Sequence, residues 1–439
     1  MKNKRLLALC LSGILSAGML TGCGSSPKPA ETEKAAEAAT ETQTQAQAAA
    51  TEAPAGEKAE VKLWHYYTTA NGENFEKMIE EYNQLPEGKA KVTLELIPRN
   101  ELLKKYTLGV ATGQLPDIAI VDNPDTASFA AMGMFIDISD RFGSWEDNEF
   151  LEGPLKSGQY KDIQYALPLR SNCLALWANE EHLKAAGVEA MPETWEDLLA
   201  VCEKLKAVGG NAYPLAFSAV KSEEGVFQFM PFYQSTGATI NDADSEAGIK
   251  AFTLLSDLAG KQYISSECIN WTQGDVEKQF AAGNASMMIG GCWQIPNLAA
   301  DAPDMSYQIG YIPKESVFST SMGGENIGIT KSAEHVDACW DFLTWILETD
   351  NNVRFNTLGG AISPHSNVTP KEQYPDSEDM QIFIEQFAYA LARGPHPKWS
   401  EVSGAFQEGI QQTLTGAKTP EEAAKEVAAK VKTINESVK

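Results

Sequence analysis

From Val61 onward the chain alternates between two hydrophobic periods, and that alternation restricts the fold more than any other feature. Over 61–66, Val61-Lys62-Leu63-Trp64-His65-Tyr66 reads as a strand, whereas Phe75, Met78, Ile79 and Tyr82 fall at i, i+3, i+4 and i+7, the face of a helix. Val92, Leu94 and Leu96 alternate again, 102–110 reads helical, and Gly113 and Pro116 introduce a buried strand over 117–122. A second such region begins near Arg170, with a strand at 174–177, a helix at 181–186 and a helix at 195–208 that Thr194 caps with Asp197 three residues on. A helix at 276–282 leads into a strand at 285–289. Val336, Trp340, Leu343 and Leu347 mark another helix. At the end, Thr419, Pro420 and Glu422 open a helix whose Ala424, Val427, Ala428 and Val431 face inward. Strands alternating with helices predict an α/β fold with a largely parallel sheet.

The first 60 residues belong to neither period. Lys2, Lys4 and Arg5 precede an apolar run over 6–19, too short to span a bilayer, which is the pattern of a secretory signal. Leu20-Thr21-Gly22-Cys23 then resembles the bacterial lipobox. That resemblance implies removal of 1–22 and a lipid on Cys23, which would hold the protein to the outer face of the cell membrane through acyl chains worth roughly 0.8 kcal/mol per buried methylene. Residues 23–60 carry no aromatic or branched aliphatic side chain after Cys23, so they cannot offset the entropy of ordering and read as a flexible tether.

Composition narrows the function classes. With 35 basic and 60 acidic side chains the net charge is −25, which argues against nucleic acid and against docking on anionic lipid through a basic patch. Seven cysteines occur. Removing Cys10 with the signal and Cys23 as the lipid site leaves Cys173, Cys202, Cys268, Cys292 and Cys339, an odd set in apolar surroundings that reads as buried thiols, with one disulfide open but not placeable. No P-loop, G-x-G-x-x-G, G-x-S-x-G or H-E-x-x-H occurs, so neither a cofactor nor a metal is expected. A glycosidase would need only two carboxylates, which leave no local signature.

In parallel α/β sheets ligands bind beyond the carboxyl ends of the strands. Trp64 and Tyr66 stand at one such end, Asp122 and Asn123 at another, and Gly290-Gly291-Cys292-Trp293 follows a third. Flat rings that cover the C–H face of a sugar, beside carboxylates and amides for its hydroxyls, are what a sugar site needs. Trp177, Trp195, Trp340 and Trp345 lie within apolar stripes and read as core.

Six motifs in order, across about 380 residues, resemble the family-1 extracellular solute-binding proteins of ABC importers, the group that includes maltose- and oligosaccharide-binding proteins. They are the opening strand at 61–66, Ala111-Thr112-Gly113-Gln114-Leu115-Pro116-Asp117-Ile118, Tyr165-Ala166-Leu167-Pro168, Trp177-Ala178-Asn179, Pro192-Glu193-Thr194-Trp195, and the stretch from Phe280 to Met287 with Gly291-Cys292-Trp293 behind it. The resemblance implies a bilobed Venus-flytrap fold of the periplasmic-binding-protein type, closing by hinge motion on a solute. It puts lobe one at 61–168 plus 325–366 and lobe two at 169–324 plus 367–439. It also implies a monomeric, extracellular carrier that delivers a carbohydrate to a permease without altering it. The alternatives are a glycerol phosphodiester, polyamine or peptide on the same scaffold, or a surface glycosidase or adhesin. By motif, lobe one would contribute Trp64, Tyr66, Asp122 and Asn123, with Arg170 past the crossover. Lobe two would add Tyr233, Gln234 and Trp293, and the second crossover Gly324 and Glu325, with Arg393 and Trp399 as further contacts.

Overall fold

A computed structural model describes residues 58–210 and 212–438; the charged start, the lipobox at Cys23 and the expected tether lie outside the described residues. Nine strands build the two main sheets. In chain order they are β1 (Ala59–His65), β2 (Ala90–Leu96), β3 (Ile118–Asp122), β4 (Leu167–Pro168), β5 (Leu174–Asn179), β6 (Tyr213–Ala216), β7 (Ala285–Gly291), β8 (Tyr307–Gly310) and β9 (Glu325–Ile329). The first sheet has the order β2-β1-β3-β9-β4 and the second β8-β5-β7-β6, one in each lobe of a bilobed α/β protein.

The sheets are mixed rather than largely parallel. β1 pairs in parallel with β2 and β3, and β6 with β7; the pairings of β9 with β3 and β4, and of β5 with β7 and β8, are antiparallel. The reason lies in the route of the chain. β9 enters the first sheet on the way back from the second lobe, so it runs against strands laid down on the outward path. Helix–strand alternation along the sequence carries no information about such a return.

Period explains the packing. Phe75, Met78, Ile79 and Tyr82 form the buried face of the helix Thr69–Gln84 in the first core. Each large apolar side chain so buried stabilises the lobe by roughly 1.5–3 kcal/mol. In the helix Val336–Leu347 the buried face is Ala338, Cys339, Phe342, Leu343, Ile346 and Leu347, turned from the expected stripe, and Trp340 and Trp345 are half-buried at its margin. Trp177 and Trp195 are core as expected. In the second lobe the sheet has a core on each face. Leu174, Leu176, Met287 and Ile289 point to one, under the helices Trp195–Val208, Glu223–Ser235 and Trp399–Leu414. Ala175, Trp177 and Met288 point to the other, with Phe280 and Phe383. Reciprocal capping boxes are present at Thr194/Asp197 and Thr419/Glu422.

Three segments cross between the lobes and lie side by side. Backbone bridges join Ser171 to Ile362 and Asn172 to Gly323, so the path after β4, the path before β9 and the return at 359–363 form one narrow band. No helix among the described residues is long and apolar enough to cross a membrane.

Candidate functional site

The ends of the central strands open onto a cavity of about 230 Å³ against this band. Tyr66 and Tyr67 follow β1, Asp122 ends β3 and Trp293 follows β7, all at carboxyl ends; Asn172 and Glu325 stand at the starts of β5 and β9, which run the other way and so present their amino ends to the same place. The strand-end rule holds for both sheets once direction is taken into account.

Two glycines let the backbone close around the site. Gly324 has φ 133°, and a Cβ there would lie 2.1 Å from the carbonyl oxygen of Arg170, in a neighbouring crossover. A Cβ on Gly291 would lie 2.0 Å from the ring of Trp293, which folds back over it. That ring lies 6.2 Å from Phe227, centroid to centroid, and the two form the apolar wall.

The polar wall is built around two buried cations. Arg170 donates from Nη2 to the Gly359 carbonyl at 2.9 Å, lies over the rings of Tyr67 and Phe355 at 5.4 Å each, and faces Glu325 with Nε 4.0 Å from Oε2. Glu325 accepts from the Tyr66 hydroxyl at 3.0 Å. Burial raises the Glu325 carboxyl above its ordinary value, against the pull of Arg170. Arg393 joins the lobes. It donates to Asp122 Oδ1 at 3.3 Å, to Asn123 Oδ1 at 3.3 Å and to Glu223 Oε1 at 2.5 Å, and lies 4.4 Å over the Phe227 ring. Ser403 donates to the other oxygen of Glu223. Arg99 completes the network, pairing with Asp122 at 3.2 Å and lying 5.0 Å over the ring of Tyr66.

The polar atoms left without a hydrogen bond define the chemistry of the space. Asn71 Oδ1, Gln273 Oε1 and Glu325 Oε2 are acceptors, and Arg170 Nε and Arg393 Nε donors, with no hydrogen-bond partner among the described residues. Their residues line the cavity. Buried polar groups are nearly always satisfied, so such a cluster marks a surface shaped for a polar solute that both donates and accepts. A second chamber of about 480 Å³, walled by Leu102, Tyr106 and Phe129, adjoins the first and shares Tyr66, Arg99 and Asp122 with it.

Of the residues singled out from sequence, Tyr66, Asp122, Arg170, Trp293, Gly324, Glu325 and Arg393 meet at the cavity. Five stand elsewhere. Trp64 lies inside β1, opposite Glu95 on β2; its Nε1 donates to Glu95 at 2.8 Å and its ring stacks on Tyr106 at 5.7 Å, so it belongs to the first core. Asn123 is buried behind Asp122 and braces Arg393. Tyr233 is buried among Phe229, Phe252 and Phe406 with its hydroxyl donating to the Thr239 carbonyl, because the helix Glu223–Ser235 turns that side inward. Gln234 reaches the Ala392 carbonyl at 3.5 Å, and Trp399 is fully buried in the second core. Arg99, Tyr67, Asn71, Asn172, Phe227 and Gln273 were not singled out. Arg99 follows β2 by three residues, so the strand-end rule applied there would have found it; Phe227 and Gln273 sit in helices with no local signal.

Two α/β lobes around an interlobe cavity of this kind define a solute-binding protein. The chain belongs to the bacterial extracellular solute-binding protein family, which matches residues 77–382. It is 26% identical over 364 residues to the diacetylchitobiose binding protein DasA of Streptomyces coelicolor, covering 77% of this chain and 81% of that one. It is 21% identical over 393 residues to a binding protein of Brucella abortus, covering 88% and 95%. Its fold matches the tagatose-bound ABC transporter solute-binding protein of Thermotoga lettingae with TM-score 0.79 and 25% identity, over 86% of this chain and all of that one.

Proposed function

We propose that the protein captures a carbohydrate between its lobes and presents it, chemically unchanged, to the permease of an ABC importer, acting as a monomer held to the outer face of the membrane through a lipid on Cys23. The observation that carries this is the set of cavity-lining residues Asn71, Gln273, Glu325, Arg170 and Arg393, each with a polar atom that has no hydrogen-bond partner among the described residues, beside the ring pair Phe227 and Trp293. Sugar hydroxyls both donate and accept, and a pyranose offers an apolar face to a ring. The charges of the site favour a neutral ligand, because Arg170 faces Glu325 while Arg99 and Arg393 face Asp122 and Glu223. A volume below the roughly 300–1,000 Å³ of drug-sized pockets suits one or two rings, and the adjoining chamber offers room for another. The sugars named for the Streptomyces and Thermotoga relatives support the same class.

The test is intrinsic tryptophan fluorescence and thermal unfolding against a panel of mono- and oligosaccharides, extended to glycerol phosphodiesters, polyamines and peptides. A true ligand at 100 times its dissociation constant adds roughly 2.7 kcal/mol of stability. A response confined to the non-sugar solutes would overturn the carbohydrate assignment, and shortened oligosaccharides in the recovered ligand would overturn capture without chemistry.

A further inference from the structure

β5 and β7 pair with Leu174 opposite Gly291, Ala175 opposite Gly290 and Trp177 opposite Met288. Cys173 immediately precedes β5 and Cys292 opens the turn immediately after β7, so extending this antiparallel register by one step would set Cys173 opposite Cys292. Alternation decides the face: both cysteines belong to the core that holds Ala175, Trp177 and Met288, not to the one that holds Leu174 and Ile289, so their side chains leave the sheet on the same side. Directly opposed residues of an antiparallel pair have Cα atoms about 4.5–5.5 Å apart, inside the roughly 4.4–6.8 Å that a disulfide spans. Both are free, fully buried thiols in this structure. Burial, and next the neighbouring Cys292, push the Cys173 thiol up; burial pushes Cys292 up to about 11.

We propose that Cys173 and Cys292 form a cross-strand disulfide when the protein folds outside the cell. The extracellular compartment of the family supplies oxidising conditions. The co-reactant is a small-molecule or enzyme disulfide: one cysteine thiolate attacks it, forms a mixed disulfide and releases one thiol, then the second cysteine displaces the other thiol. The pair thereby loses two protons and two electrons, and the reagent takes them up as two thiols. Because the folded sites are buried and their thiols are held protonated, the bond forms before packing is complete and is afterwards shielded from reductant. Asn172 and Trp293, each adjacent to one of the cysteines, line the cavity, so the bond ties the crossover into lobe two to the end of β7 directly behind the cavity wall. Nothing in this depends on which solute is bound.

The reduced, denatured full chain is refolded in mixed oxidised and reduced glutathione, denatured again, alkylated without reductant and digested with trypsin. Cys173 and Cys292 are the only cysteines of the tryptic peptides 171–184 and 279–314. The expected product is these two peptides joined, two hydrogens lighter than their sum, with every other cysteine of the chain alkylated. Closing a loop of roughly 120 residues should also raise the melting temperature by about 5 °C over the protein refolded under reductant, and the redox dependence should vanish in Cys292→Ala. Separate alkylation of both peptides, or either cysteine joined to a different one, overturns the proposal, and this mapping needs no variant to fold.

Discussion

Replacing Arg393 by Met removes a cation that is held by both lobes, through Asp122 and Glu223. The guanidinium is 1% exposed and pairs with carboxylates that are themselves mostly buried, Asp122 at 12% and Glu223 at 13%. Methionine keeps much of the length of the side chain and its packing on Phe227, so the loss is chiefly electrostatic. Breaking a buried pair by removing one partner costs about 3–5 kcal/mol, because the carboxylates remain without their cation. Asp122 retains Arg99 at 3.2 Å, which places the expected loss near the lower end, at about 3 kcal/mol and pH 7.5. The loss should depend on pH. Burial already raises the Glu223 carboxyl above its ordinary value, with Arg393 pulling it back; without Arg393 it rises further. A carboxyl raised in the folded state costs stability above its folded pKa, and that cost is relieved as pH falls through it toward the ordinary carboxylate value, so the deficit should be smaller at pH 5 than at pH 7.5. Adding Glu223→Gln to Arg393→Met should recover part of the deficit at pH 7.5 and remove its pH dependence. Urea unfolding followed by tryptophan fluorescence at both pH values measures this. A deficit below about 1 kcal/mol, or one that is equal at pH 5 and pH 7.5, would refute the view that Arg393 neutralises a buried interlobe carboxylate cluster.

Trp293→Ala should weaken the responding sugar about 10- to 100-fold in titration calorimetry, whereas Trp64→Ala should cost about 3 kcal/mol of stability and change affinity less than twofold, since that ring is core. Gly324→Ala should destabilise by about 2–3 kcal/mol in the same urea assay, because φ 133° and the Arg170 carbonyl leave a Cβ no room. His65 is buried and its pKa is lowered to about 4 by that burial. The fold therefore favours the neutral ring, and stability falls as pH drops from its ordinary 6.5 toward 4. A melting series over pH 7 to 4 should show His65→Gln losing about 2 kcal/mol less than the parent.

Local features of the fold were legible because they are decided within a few residues. The strand read at 61–66 and the capping boxes at Thr194 and Thr419 depend on period and on side chains three positions apart; the boxes stand where the pattern put them, and the strand runs from Ala59 to His65, leaving Tyr66 just past its end. Strand direction was not legible. β9 meets β3 across about 200 residues of intervening chain, and nothing near Glu325 records that the chain is returning rather than going out. The site divides in the same way. Tyr66 and Trp64 are two residues apart and look alike in sequence, yet one clears the end of β1 and the other is fixed inside it by its partner on β2. Tyr233 and Trp399 are aromatic residues beside polar ones, which a surface helix and a core helix share equally. Arg393 reached the site through a loop whose position is set by its own ion pairs to Asp122 and Glu223, a contact that spans both lobes.

The most direct measurement is a crystal structure of the protein with the sugar that gives the largest thermal shift. The expected result is a sugar ring against Trp293 and Phe227, with hydroxyls on Asn71, Gln273, Arg170 and Glu325. Sugar bound on an outer face of either lobe, with those side chains unchanged and untouched, would contradict it.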